Sequence, residues 1–162
     1  MIREILQYPS DHLRKKAQRQ SLSDIPSSQL VDMADTLRSM PGAIALAANQ
    51  IGLNLNVFCI TRAMAEANKL PTFIFNPEFV SSGSYVDTKR EGCLSFDKTY
   101  FDVPRYREVT IKFDCLEEYS RRVVTLKNLP ARVFQHEMEH LQGKVFIDFL
   151  PEKLKEFRPK VT

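Results

Sequence analysis

The chain reads as an α+β domain, with mixed or antiparallel small sheets packed around a central helix, and three observations predict it. Val109, Ile111, Phe113 and Cys115 alternate with Thr110, Lys112 and Asp114, the period of a half-buried strand. Short apolar runs, Val57 to Ile60 and Phe73 to Phe75, read as further buried strands. A late segment is punctuated as a helix at both ends, with Pro130 in its first turn and Gly143 just past Gln142.

In chain order, Ser10 or Asp11 can cap a short helical turn through Lys16. From about Ile25 to Met40, Leu30, Val31, Ala34 and Leu37 recur at helical spacing, with Ser27 or Ser28 upstream as cap and Pro41-Gly42 as the stop. Ala43 to Ala48 is small and apolar, and it leads into Asn49-Gln50-Ile51-Gly52. Amides in a stretch that otherwise reads as buried are costly without partners, so their presence asks for a reason. The connection between the two apolar strands has room for a turn of helix, and Asn76-Pro77 terminates the second. The alternating strand pairs with Arg122 to Leu126 across a turn near Glu118 to Ser120.

The 162 residues fit one domain, 1–162, with no internal repeat or linker. A hydrophobic share of 43% and a charged share of 27% argue against disorder. Formal charge of +3 is too mild to suggest direct nucleic-acid readout. Arg3 and Glu4 stand where a signal peptide would be apolar, and no span approaches about 18 uncharged apolar residues, so neither secretion nor membrane insertion is expected. Cys59, Cys93 and Cys115 are an odd, widely spaced trio unlike a disulfide framework. A cytoplasmic monomer is the expectation.

The chemistry lies in His136-Glu137-Met138-Glu139-His140. Two histidines four residues apart project from one helix face, where both imidazoles can share one metal. Glu137 is rotated from His136 by about 100° and can reach a water on that metal, which makes it the candidate general base. His12 is isolated and reads as a surface residue. A catalytic tetrahedral site needs a third protein ligand and keeps its fourth position open. Phe146 stands where a metzincin protease carries its third histidine, which closes that option. Glu152 or Glu156 could serve from the charged tail, as in other zinc peptidases. Cys93, in Glu91-Gly92-Cys93-Leu94-Ser95, is the better candidate, because its flanking glycine permits close backbone approach. Cys59 and Cys115 sit in apolar patterns and read as packing residues.

Assembled, these residues resemble the peptide deformylase family over nearly the whole chain. That family's third signature, Q-H-E-x-D-H-L-x-G, occurs as Gln135 to Gly143 with Glu139 replacing the aspartate. Its second, E-G-C-L-S, is Glu91 to Ser95, and its first, G-x-G-L-A-A-x-Q, occurs as Ala43 to Gln50 with alanine at both glycines, Ala43 and Ala45. The resemblance implies Cys93, His136 and His140 as ligands of one divalent ion. Ferrous iron is expected there, and zinc, nickel or cobalt can substitute. It implies that metal-bound water attacks the formyl carbon of N-formyl-methionyl peptides, with Glu137 as base and then acid. Gln50 and the Leu94 N–H would donate to the oxyanion. The methionine slot would be formed near Ile44, Ala45, Leu129 and Val133, and Val133 lies one turn before His136 on the same helix face.

Departures from the pattern bear on the cleft. Alanine does not comfortably adopt positive φ, and the methyl groups that Ala43 and Ala45 add are expected to narrow the cleft where glycine would allow close substrate approach. Asp97 stands where the second segment usually has proline, and Tyr100 where a basic residue is common. About twelve residues follow Leu150, a shorter tail than the long basic helix linked to ribosome contact in bacterial relatives, so the resemblance leaves transient ribosome association open. Two other readings remain: a zinc peptidase that does not use Cys93, and a relative that binds formylated peptides without hydrolysing them.

Overall fold

The computed structural model describes residues 1–151; Glu152 and Glu156 lie outside the described residues. Strands β1 (Ala45–Ala47), β2 (Val57–Ile60), β3 (Phe73–Ser82), β6 (Glu108–Cys115) and β7 (Ser120–Lys127) form a five-stranded sheet in the order β1-β2-β3-β6-β7. Every pairing in it is antiparallel. Strands β4 (Val86–Cys93) and β5 (Phe96–Tyr106) form a separate antiparallel hairpin. Helices α1 (Ser27–Ser39), α2 (Arg62–Asn68) and α3 (Leu129–Leu141) complete the α+β architecture.

Helix α3 lies on one face of the large sheet, where Ala131, Phe134 and Leu141 pack with Phe58, Ile60, Ile74, Ile111 and Phe113. The Phe58 and Phe134 rings meet edge to face with centroids 4.9 Å apart, a geometry that adds about 1 kcal/mol beyond burial. On the opposite face, Met33 and Leu37 of α1 cover Val57, Cys59 and Phe75. Successive side chains of a strand point to opposite faces, so β2 has no polar side and reads as an unbroken apolar run. Cys59 and Cys115 are fully buried, as their apolar settings lead one to expect.

Three sequence expectations change. β3 does not end at Asn76-Pro77. Asn76 takes φ +46° and the pairing shifts register between Phe75 and Glu78, a bulge that accommodates a proline unable to donate to the ladder. The α1 stripe is also rotated: Val31 is 55% exposed while Asp32 turns inward to Arg3, 2.7 Å away. The first helical turn is a 3-10 turn, Asp11–Arg14, rather than a helix through Lys16. Strand β4 carried no apolar signal, because most of its residues from Val86 to Gly92 face solvent. The connection between β2 and β3 does hold a helix, α2, capped by the Thr61 hydroxyl, which accepts from the Met64 N–H.

Gly143 ends α3 at φ +72°, and a Cβ there would lie 2.3 Å from the Arg14 carbonyl oxygen. Only glycine satisfies both the left-handed backbone and that close approach. With the Ala17 N–H donating to Leu141 O at 2.8 Å, it sutures the N-terminal segment to the end of the motif-bearing helix.

Candidate metal centre and cleft

His136 and His140 project from one face of α3, and Cys93 meets them from the end of β4. His140 Nε2 lies 3.3 Å from Cys93 Sγ and 3.2 Å from His136 Nε2. All three ligand atoms fall within 4.8 Å of one another. Donors about 2.0–2.3 Å from a tetrahedral ion are separated by about 3.3–3.8 Å, so the trio fits a single divalent ion.

The cysteine reaches this position because Gly92 lets β5 approach closely. Gly92 pairs with Tyr100, and a Cβ at Gly92 would meet the Tyr100 ring at 2.8 Å. The chain turns back at once through Leu94 and Ser95 into β5, and the Cys93 thiol is left facing α3.

Behind the histidines lies a buried ionic network. Glu91 Oε1 is 2.9 Å from His136 Nδ1. Arg105 donates to both Glu91 oxygens at 2.9 Å and to Glu139, and Arg132 donates to Glu91 Oε2 at 2.6 Å. Burial alone would raise the Glu91 carboxyl, but the His136 and Arg105 hydrogen bonds hold it far below the ordinary carboxylate range. His136 and His140 are driven apart. Burial pulls both down, yet hydrogen bonds to Cys93 and Glu91 lift His136 well above its usual value. Burial, with the charges of His136 and Arg105 adding to it, holds His140 well below its usual value.

Glu137 is buried beside His136, and burial raises its carboxyl to about 7 against the pull of His136. Its Oε2 has no hydrogen-bond partner. Gln50 is 2% exposed in a 3-10 turn, Ala48–Ile51. Its carboxamide oxygen accepts from the Ala47 N–H at 2.9 Å, which turns its NH2 toward Ser95 Oγ (3.2 Å) and Cys93 Sγ (3.6 Å). Leu94 is half-buried, and its carbonyl accepts from Gln7 at 2.9 Å.

One cleft gathers nearly all the sequence-predicted residues. Ile44, Ala45, Gln50, Cys93, Leu94, Leu129, Val133, His136 and Glu137 line it together with Tyr100. His140 sits deeper, only 1% exposed. Ala43 and Ala45 also line it, neither at positive φ; the left-handed residue of that segment is Gly42, at +77°. His12 is half-buried near the N-terminus and is no part of the cleft. Arg105 and Arg132 escaped sequence reasoning, and Asn49 and Glu139 were noticed there without a partner being assigned to either. Glu91 was visible in its motif, but an isolated buried arginine carries no sequence signature.

The family described as polypeptide deformylase matches residues 2–156. A peptide deformylase of Aquifex aeolicus is 39% identical over 153 residues, 93% of this chain and 88% of the relative. That of Borreliella burgdorferi is 33% identical over 156 residues, 94% and 90%. Among solved structures, a Legionella pneumophila peptide deformylase superposes with a TM-score of 0.82 at 34% identity, covering 96% of this chain and 89% of that one. A Synechococcus elongatus peptide deformylase in complex with actinonin gives 0.81 at 29% identity, covering 94% and 80%. Fold and sequence together define a hydrolase, and the chain belongs to the polypeptide deformylase family of enzymes. No helix among the described residues is long and apolar enough to cross a membrane.

Proposed function

We propose that this chain removes the N-formyl group from the N-terminal formyl-methionine of nascent peptides, releasing formate and a free amine. The observation that supports this best is the convergence of Cys93, His136 and His140 beside the buried Glu137 carboxyl, at the floor of a partly apolar cleft. Those three side chains would hold one divalent ion, ferrous iron by family resemblance, with zinc, nickel or cobalt as substitutes. When bound, the ion supplies Lewis acidity at the formyl carbonyl and lowers the pKa of water.

The remaining steps belong to the chain. Glu137 takes the proton of the attacking water as the oxygen bonds to the formyl carbon, and passes it to the departing amide nitrogen as the carbon–nitrogen bond breaks. Burial that brings its carboxyl to about 7 suits a group that must accept and return a proton. The Gln50 NH2, oriented by the Ala47 contact, and the Leu94 N–H donate to the carbonyl oxygen as it gains charge. Ile44, Ala45, Leu129 and Val133 receive the methionine side chain. Residues 1–162 act as one catalytic domain, a monomer in the cytoplasm. The tail on which ribosome contact would depend lies outside the described residues.

The test is formate release from formyl-Met-Ala-Ser by protein reconstituted anaerobically with iron. Stoichiometric formate with an intact Met-Ala-Ser product is expected. Cleavage of internal peptide bonds, or binding without formate, would overturn the proposal.

A further inference from the structure

Asn49 Oδ1 and His140 Nδ1 are among the buried polar atoms that lack a hydrogen-bond partner, as are Glu137 Oε2 and Glu139 Oε2. Asn49 is 3% exposed and His140 1%. Their residues are already joined, because Asn49 Nδ2 donates to the His140 main-chain carbonyl at 2.5 Å. The Nε2 of His140 faces Cys93 Sγ and His136 Nε2. If that nitrogen ligates an ion, the ring proton sits on Nδ1, and a ligating histidine almost always gives that proton to an acceptor. His136 has its acceptor in Glu91. Of the buried side-chain oxygens without partners among the described residues, that of Asn49 is the one whose side chain already bonds to His140.

We propose that Asn49 is a positioning residue for the metal ligand His140: its NH2 holds the main-chain carbonyl, and once an ion is bound its oxygen, unpartnered in this structure, receives the Nδ1 proton. The ring is thereby kept in the tautomer that turns the Nε2 lone pair to the ion. Asn49 immediately precedes Gln50, so the same side chain ties the oxyanion-donor turn to the helix that carries both histidines. The inference rests on the metal-centre reading given above, and concerns a residue for which that reading has no role.

The experiment is zinc affinity, measured by competition with a chromophoric chelator, for wild type, Asn49→Leu and Asn49→Asp. Leucine removes donor and acceptor at similar volume, whereas aspartate removes the donor and keeps an acceptor. Asn49→Leu is expected to bind zinc about 10–100-fold more weakly, and Asn49→Asp to stay within about threefold of wild type. A backbone suture alone would weaken both variants alike, so equal losses, or an unchanged Asn49→Leu, would overturn the proposal. Nitrogen-15 histidine spectra of zinc-loaded wild type provide a reading that needs no variant: His140 should show a slowly exchanging Nδ1–H. An unprotonated or freely exchanging Nδ1 would overturn it too. Failure of wild type to bind zinc, or a Cys93→Ser protein that binds it equally well, would instead remove the metal centre itself.

Discussion

Glu91 Oε1 lies 2.9 Å from His136 Nδ1, so the ring that turns Nε2 toward His140 is oriented from behind by a carboxylate. That carboxylate is also the buried counter-charge of Arg105 and Arg132. Glu91→Gln should therefore do two things at once. Metal affinity should fall about 10–100-fold as His136 loses its anchor. Folding stability should drop by about 3–5 kcal/mol, because two guanidiniums stay buried with less compensation. Chelator competition and urea unfolding measure these separately, and no change in either would mean the network is ornamental.

Among the described residues, Glu137 is the one acidic side chain that combines full burial, a free carboxylate oxygen and a position next to a ligand. Glu137→Ala should keep its metal, read by elemental analysis, and lose about 10²–10⁴-fold in kcat. Retention of most of the activity would remove the residue from the proton transfer.

The three cysteines should separate in reactivity. Cys59 is buried, and burial pushes its thiol far above the ordinary range; Cys115 is equally inaccessible. Cys93 is half-buried in the cleft wall. In chelator-treated folded protein, iodoacetamide should modify Cys93 alone, and added zinc should block it. Peptide mapping that found Cys59 modified first would contradict the packing described here.

The methionine slot is open to a size test. Val133 sits on α3 one turn before His136 and lines the cleft. Val133→Phe should erode the preference for formyl-Met over formyl-Leu peptides by about tenfold, since a methylene's worth of fit is about 1–3 kcal/mol. An unchanged ratio of kcat/KM values would put the slot elsewhere.

Acid dependence is checkable away from the cleft. The Arg121 hydrogen bond lowers the carboxyl of Glu78, with Arg121, Lys112 and Arg19 charges adding to it. A carboxylate whose folded pKa lies below its unfolded value stabilises the fold above the unfolded value and loses that stabilisation as pH falls through the folded one. Glu78 is exposed, so solvent screening keeps the term at or below about 1 kcal/mol. Glu78→Gln should be slightly less stable than wild type at pH 7, and the gap should close as pH drops below about 4.5. A gap that widened in acid would have the wrong sign.

Much of this protein was legible in the order of its residues. The i, i+4 histidines, the Gly143 stop and the alternation in β6 follow from local periodicity and backbone preference, which neighbours along the chain determine. The buried amides of Asn49 and Gln50 were conspicuous as a polar interruption, though not what they would bond to. By contrast, β3 passed through Asn76-Pro77 because a bulge against β6 absorbed the proline, and the largely exposed β4 showed no apolar pattern. Only the tertiary structure could bring Glu91, Arg105 and Arg132 behind His136, or pair Asn49 with the His140 carbonyl. Such contacts join elements far apart in the chain, and a buried charge is recognisable only once its partner and its exclusion from water are known.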